Sequence, residues 1–126
     1  MSIRALFIFN SILSLFFGCA FVLVPEFSIS FYGITLGDGG ILMARLMGAA
    51  FLSFTGITWF ARNSEESEAR RAIVLGLFIS FAIGFVVSLM AQLSGIVNEL
   101  GWSTVAIYLL LSLGYGYFQF VKKISS

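Results

Sequence analysis

The chain has 126 residues, of which 60% are hydrophobic and 10% are charged. Soluble domains carry roughly 45–50% apolar and about 25% charged residues, and a chain this short has too little interior to hide so much apolar surface from water. The composition therefore excludes a soluble globular domain and predicts an all-α protein integrated in a membrane. A net charge of +1 also excludes the basic surface that nucleic-acid binding requires.

Histidine is absent from the chain, which excludes His-ligated haem or chlorophyll and acid–base catalysis by histidine. The single cysteine, Cys19, cannot form an intrachain disulfide. The sequence also lacks paired intramembrane carboxylates, a metal-ligand cluster and a Gly-rich phosphate loop. We therefore expect no enzyme, no metal site and no resident cofactor, and leave open bound lipid or pigment held through other groups.

Four apolar stretches are each long enough to cross a bilayer, which takes about 20 residues. They cover 5–24, 41–61, 72–91 and 102–121, and the only charge within them is Arg45. We predict a single domain over 1–126, folded as an integral membrane bundle of four helices. The first stretch runs on to Pro25, so we expect a retained span rather than a cleaved signal peptide.

The segments between the spans predict where the helices begin. Segment 25–40 is broken by proline and glycine, which indicates a loop, and Asp38 is a candidate N-cap for the second span. Asn63 and Glu66 have the spacing of a capping box ahead of the third span. We therefore expect the third helix to begin outside the bilayer.

The distribution of lysine and arginine predicts the orientation, because these residues collect on the cytoplasmic side. The side opposite the 25–40 and 92–101 loops carries six of the seven, namely Arg4, Arg62, Arg70, Arg71, Lys122 and Lys123. We therefore expect a multi-pass protein of the inner (plasma) membrane with both termini in the cytoplasm.

Small residues recur at helical spacing within the spans, which allows helices to approach closely in lipid. The second span carries two such rows, one with Ala44 and Gly48 and the next with Ala49 and Ser53. We predict packing roles inside the bundle for these rows and for Ser14, Gly18, Gly76, Ser80, Gly84, Ser88 and Gly116. Dimerisation or docking onto another subunit is the alternative.

The two halves of the sequence also correspond weakly. A shift of 66 residues places Gly18 on Gly84, and a shift of 60 places Gly56 on Gly116. A parallel repeat of two helical hairpins would produce this correspondence, and composition alone would as well.

Arg45 is the charged residue inside a span, where a charge is costly and calls for a partner. We expect its side chain to reach the outer interface and to pair there with Glu26, Asp38 or Glu99. The alternative is a site for an anion, a lipid headgroup or a carboxylate ligand.

A second candidate site lies on the fourth span. Polar residues share one predicted face there at spacings of 4, 4, 3 and 4, namely Thr104, Tyr108, Ser112, Tyr115 and Gln119. Asn10 of the first span and Thr55 and Thr58 of the second could meet this face. We expect hydrogen bonds between helices, and a polar cavity for a small ligand is the alternative.

A pattern over 24–62 carries a family resemblance. Its parts are Val-Pro-Glu-Phe at 24–27, Phe-Tyr-Gly-Ile at 31–34, Ala-Arg-Leu-Met-Gly-Ala-Ala at 44–50 and Trp-Phe-Ala-Arg at 59–62. The pattern resembles a family of small bacterial four-span membrane proteins of unknown function, loosely similar in layout to the DoxX-like proteins. Arg45 and Gly48 match the Arg and Gly that open the second span in that family. Gly84 is followed by Phe85 where many members carry Gly-Arg, so the family's shared polar site is not implied here.

These features favour a non-enzymatic accessory subunit that docks on other subunits of a larger membrane complex. The alternative is a small-molecule or lipid binding or transport module that works as a homo-oligomer. The resemblance implies the four-span fold and supplies no activity.

Overall fold

The computed structural model describes residues 2–121, and all regular structure in that range is helical. The elements are α1 (Ile3–Leu23), α2 (Pro25–Ser30), α3 (Asp38–Ala61), α4 (Glu68–Leu93) and α5 (Gly101–Gly116), which a π-helical turn (Tyr117–Val121) continues. Apart from the short α2, these form 4 helices long and apolar enough to cross a membrane. The prediction of an all-α chain with four candidate spans is confirmed. Lys122, Lys123 and the ends of the predicted domain 1–126 lie outside the described residues.

The chain divides into two compact units between Asn63 and Ser64. In the first unit α1 packs against α3, with α2 in the connection between them. In the second unit α4 packs against α5. We refer to these as the first hairpin (α1 to α3) and the second hairpin (α4, α5 and the π-helical turn). A single domain formed by all four spans stays a prediction.

Two buried glycines bring the main chains of the first hairpin together. A Cβ atom added to Gly48 would lie 2.9 Å from the carbonyl oxygen of Gly18, and one added to Gly18 would lie 3.0 Å from that of Gly48. Beside them the rings of Phe21 and Phe51 have centroids 5.8 Å apart. The absence of side chains at the two glycines is what permits this close approach.

Aromatic rings fill the corresponding space in the second hairpin. The ring of Tyr108 lies against Gly84, where an added Cβ atom would overlap it. Phe78 lies against Gly116, and a Cβ there would be 3.0 Å from its Cε1 atom. Glycine here forms a notch for a ring rather than a contact between main chains.

Gly76 takes no part in packing within the second hairpin. It is exposed, and a Cβ atom added to it would meet no atom of the described residues within 4 Å. Ser80 and Ser88 are half-buried, and the Ser88 hydroxyl donates to the carbonyl of Phe85 at 3.1 Å. Gly76 is exposed because the buried side of α4 runs through Val74, Leu77 and Phe81 and does not include it.

Two predicted helix starts are wrong. The N-cap of α3 is Gly37, and Asp38 is its first helical residue. The N-cap of α4 is Ser67, whose hydroxyl oxygen accepts from the Arg70 amide at 3.2 Å. Asn63 falls instead in the turn that follows α3, while Ser67 has the extended backbone that a capping side chain needs.

The end of α4 is a Schellman motif. Gly95 has a φ of 77°, which glycine adopts without steric cost. Its amide donates to the carbonyl of Gln92 at 3.2 Å, and the amide of Ile96 donates to that of Ala91 at 3.3 Å. The helix therefore continues to Leu93, two residues beyond the predicted end of the span.

Candidate functional site

Arg45 lies on the exposed side of α3, seven residues after the helix begins at Asp38. That interval corresponds to about 10 Å along the axis, too long for a direct ion pair between the two residues within one helix. Arg45 makes no ion pair with Glu26 or Asp38 among the described residues. Glu99 belongs to the second unit, so its pairing with Arg45 stays a prediction.

The two small-residue rows of α3 have different surroundings. Ala44 and Gly48 are buried in the row that packs against α1. Ala49 and Ser53 are exposed. The Ser53 hydroxyl donates to the carbonyl of Ala50 at 2.6 Å, so its hydrogen bond is made within α3. We call the exposed row Arg45, Ala49 and Ser53 the outer face of α3.

The polar face predicted on the fourth span is largely withdrawn from solvent. Ser112 and Tyr115 are buried, and the Ser112 hydroxyl donates to the carbonyl of Leu109 at 2.9 Å. Thr104 and Tyr108 are half-buried, as is Gln119. Gln119 lies in the π-helical turn, whose wider i→i+5 pattern shifts it from the face that α-helical spacing predicts.

Aromatic contacts organise this face inside the second hairpin. The rings of Phe81 and Tyr115 stack with centroids 5.8 Å apart and an interplanar angle of 11°. The ring of Tyr108 lies 5.9 Å from the same phenylalanine. The tyrosines therefore contribute aromatic packing as well as a polar group.

The polar residues predicted in the first hairpin make bonds within their own helices. Asn10 is fully buried, and its Oδ1 accepts from the Ser14 hydroxyl at 2.8 Å. The hydroxyl of Thr58 donates to the Phe54 carbonyl at 2.7 Å, and that of Thr55 donates to the carbonyl of Phe51 at 3.2 Å. The hydroxyl groups of these residues, like that of Ser112, therefore donate within their own helices. They do not form the hydrogen bonds between helices that the sequence predicts. A meeting with the fourth span stays a prediction, because the residues belong to different units.

Sequence reasoning missed an arrangement of two arginines at one end of the first hairpin. Arg4 Nε donates to Asn63 Oδ1 at 2.9 Å. The guanidinium carbon of Arg62 lies 3.8 Å from the centroid of the Trp59 ring. The spacing of three between Trp59 and Arg62 at a span end is a sequence signal for the second of these contacts, whereas the contact between Arg4 and Asn63 joins residues far apart in the chain.

Comparisons with models of protein families, with curated proteins and with solved structures find no match to this chain. Membership of the four-span family that the sequence resembles therefore stays a prediction.

Proposed function

We propose that this chain is a non-enzymatic, multi-pass membrane protein that works as an accessory subunit of a larger membrane complex. The outer face of α3 is the surface through which it docks. Lipid and the other subunits are its partners, and no resident cofactor is required.

The observation that supports this proposal is the exposed second row of small residues on α3. Lipid tails are as apolar as leucine, so small side chains on a lipid-facing surface gain nothing, whereas they let a partner helix come close. Ala44 and Gly48 serve this purpose inside the hairpin. Ala49 and Ser53 repeat the pattern on a side that no helix of the first hairpin covers.

Arg45 extends the outer face of α3 toward the outer boundary of the membrane. A guanidinium in a span is costly unless an acidic or polar group meets it. Neither acidic residue of the first hairpin does so among the described residues. A carboxylate on the docked subunit would supply that group.

The test is native mass spectrometry of the particle purified in mild detergent from native membranes. We expect a stoichiometric complex with other subunits. Replacing both Ala49 and Ser53 with leucine should release this chain from the complex, because the bulk separates the helices. Replacing both Ser103 and Ala106, exposed residues of α5, with leucine adds the same bulk; this double variant is the matched control and should leave the complex intact.

The second candidate function is a small-molecule or lipid binding or transport module that works as a homo-oligomer. The exposed guanidinium of Arg45, without an ion pair among the described residues, favours this alternative. Arg45→Gln separates the two functions. Assembly or stability falls if Arg45 docks on a subunit, whereas ligand uptake falls with the fold intact if it binds a ligand.

We also propose that both ends of the chain face the cytoplasm at the plasma (inner) membrane, on the basis of the charge distribution. In a Cys19→Ala background, a cysteine at Glu65 should react with a membrane-impermeant maleimide only after the cells are opened. A cysteine at Gly39 should react in intact cells. The reverse pattern would invert the proposed orientation.

A further inference from the structure

At one end of the first hairpin, two arginines are anchored by contacts with neutral groups. Arg4 Nε donates to the side-chain oxygen of Asn63 at 2.9 Å. Arg62 lies over the indole of Trp59 and donates from Nη1 to the carbonyl of the same residue at 2.6 Å. Because Asn63 follows Arg62 directly in the chain, the two anchored guanidiniums belong to one end of the unit.

Within residues 2–121, each of these hydrogen bonds leaves one two-donor edge of the guanidinium unused. Arg4 is held through Nε, which leaves the edge formed by Nη1 and Nη2. Arg62 is held through Nη1, which leaves the edge formed by Nε and Nη2. A guanidinium edge with two parallel N–H groups matches two oxygens of a phosphate. Anchoring by the protein also lowers the entropy lost when such a group binds.

Neither Arg4 nor Arg62 makes an ion pair with a described acidic residue of its own unit, and Glu66, four positions after Arg62 in the chain, lies 3.9 Å from Arg71. Among the described residues of the first unit the acidic residues are Glu26 and Asp38. Both lie beyond the other end of α1, whose 21 residues span about 30 Å. That distance exceeds the screening length of about 8–10 Å at physiological ionic strength.

Trp59 indicates the depth of these arginines in a membrane. Trp59 is 41% exposed, and exposed tryptophans at span ends sit at the level of the lipid headgroups. The guanidinium above it is therefore at the level of the lipid phosphates.

We propose that this end of the first hairpin is a phosphate-binding site, in which Arg4 and Arg62 each present a two-donor edge to an anionic phosphate group. The group belongs to an anionic lipid headgroup or to a free phosphate ion. The site is independent of the outer face of α3, which lies on a different part of the helix.

The test uses Trp59 as its own reporter. The full chain with Trp102→Phe retains one tryptophan. It is reconstituted in phosphatidylcholine vesicles that contain a minority of brominated phosphatidylglycerol or of brominated phosphatidylcholine with the same acyl chains. Bromine quenches the indole fluorescence, so the ratio of quenching by the two lipids gives the preference for the anionic headgroup.

We expect a preference for phosphatidylglycerol of about fivefold for each arginine. The variant that combines Arg4→Gln and Arg62→Gln should lose the contributions of both arginines. Arg62→Lys, which keeps the charge and loses the two-donor edge, should lose more than half of the contribution of Arg62. Arg71→Gln is the matched control, because that guanidinium already lies 3.9 Å from the Glu66 carboxylate, and it should change the preference less than twofold.

Three results would overturn the proposal. They are equal quenching by the two lipids with native arginines, full retention of the preference in Arg62→Lys, and an equal loss in Arg71→Gln. The last two would mean a diffuse effect of charge in place of a built site.

An excess of inorganic phosphate distinguishes the two sources of the phosphate group. A loss of lipid preference assigns the site to free phosphate, and an unchanged preference assigns it to the lipid headgroup. Far-UV circular dichroism verifies that each variant keeps its helices.

Discussion

The two hairpins solve the same packing problem at corresponding positions in different ways. A shift of 66 aligns Gly18 with Gly84, and the shift of 60 that aligns Gly56 with Gly116 also places Gly48 on Tyr108. In the first hairpin two glycines meet and the main chains touch. In the second hairpin a glycine meets the tyrosine ring at the aligned pair of positions.

This difference determines how each contact responds to added bulk. A main-chain oxygen can move only if the helices separate, whereas a ring can rotate or be removed by substitution. Close packing makes even one extra methyl group costly where neighbours cannot move. The first hairpin should therefore be the less tolerant of the two.

The largest expected effect is that of Gly48→Ala in the first hairpin. The new Cβ would lie 2.8 Å from Val22 Cγ2, 2.9 Å from the carbonyl oxygen of Gly18 and 3.0 Å from Phe21 Cβ. We expect a loss of about 1–3 kcal/mol in stability. The measurement is the melting temperature in detergent, followed through the reaction of half-buried Cys19 with a fluorogenic thiol reagent.

Two further variants sharpen this result. Gly56 lies on the same helix, and a Cβ atom added to it would meet no described atom within 4 Å. The melting temperature of the Gly56→Ala variant should therefore not fall. Adding Val22→Ala to Gly48→Ala should restore little, because the main-chain contact with Gly18 remains. Equal melting temperatures for Gly48→Ala and Gly56→Ala would mean that the main-chain contact between Gly18 and Gly48 does not limit the stability of the first hairpin.

A smaller effect is expected for Gly84→Ala in the second hairpin. The atoms that the new Cβ would meet all belong to the ring of Tyr108. We expect a loss of about 1–2 kcal/mol, which should shrink when Tyr108→Ala is already present because the two residues are coupled. A cysteine at half-buried Ala82, in a chain with Cys19→Ala, reports the melting of α4.

Gly76→Ala is the control on that helix, since its new Cβ would meet no described atom within 4 Å. It should be neutral or stabilising by up to about 1 kcal/mol, as alanine favours the helix. If Gly84→Ala lowers the stability as much in the Tyr108→Ala background as in the native chain, a clash with the Tyr108 ring is not the cause of the loss.

The smallest effect is expected for Gly116→Ala. The new Cβ would lie 3.0 Å from Cε1 and 3.2 Å from Cδ1 of Phe78, a ring that makes a T-shaped pair with Phe120. A small shift of this ring is offset by the gain of about 1 kcal/mol in helix propensity. The melting temperature of the Ala82→Cys reporter chain should therefore change little, and a loss comparable with that of Gly84→Ala would contradict this reasoning.

The sequence predicted the helical class and the four apolar stretches because span length and composition are set directly by the bilayer. The helix ends were harder: the sequence predicted that α4 begins ahead of its apolar stretch, but local backbone geometry selected Ser67 over Asn63 as its cap. Periodicity identified rows of small residues. It could not tell which member of a row a neighbouring helix covers, and Gly76 lies on the open side.

The candidate sites were harder still. Asp38 and Arg45 both belong to α3, but their axial separation of about 10 Å prevents the direct pair that the sequence predicts. The hydrogen bond that anchors Arg4 at Asn63 depends on which helix ends meet. That information is absent from the separate spans and arises only when the hairpin closes.

The most direct test of the docking proposal is photo-crosslinking in native membranes from a reactive residue placed at Ala49. Leu110, which is 66% exposed on α5, is the control position. We expect a crosslink from Ala49 to one subunit of the complex found by mass spectrometry, with none from Leu110. A crosslink from Ala49 to a second copy of this chain, or to lipid alone, would contradict it.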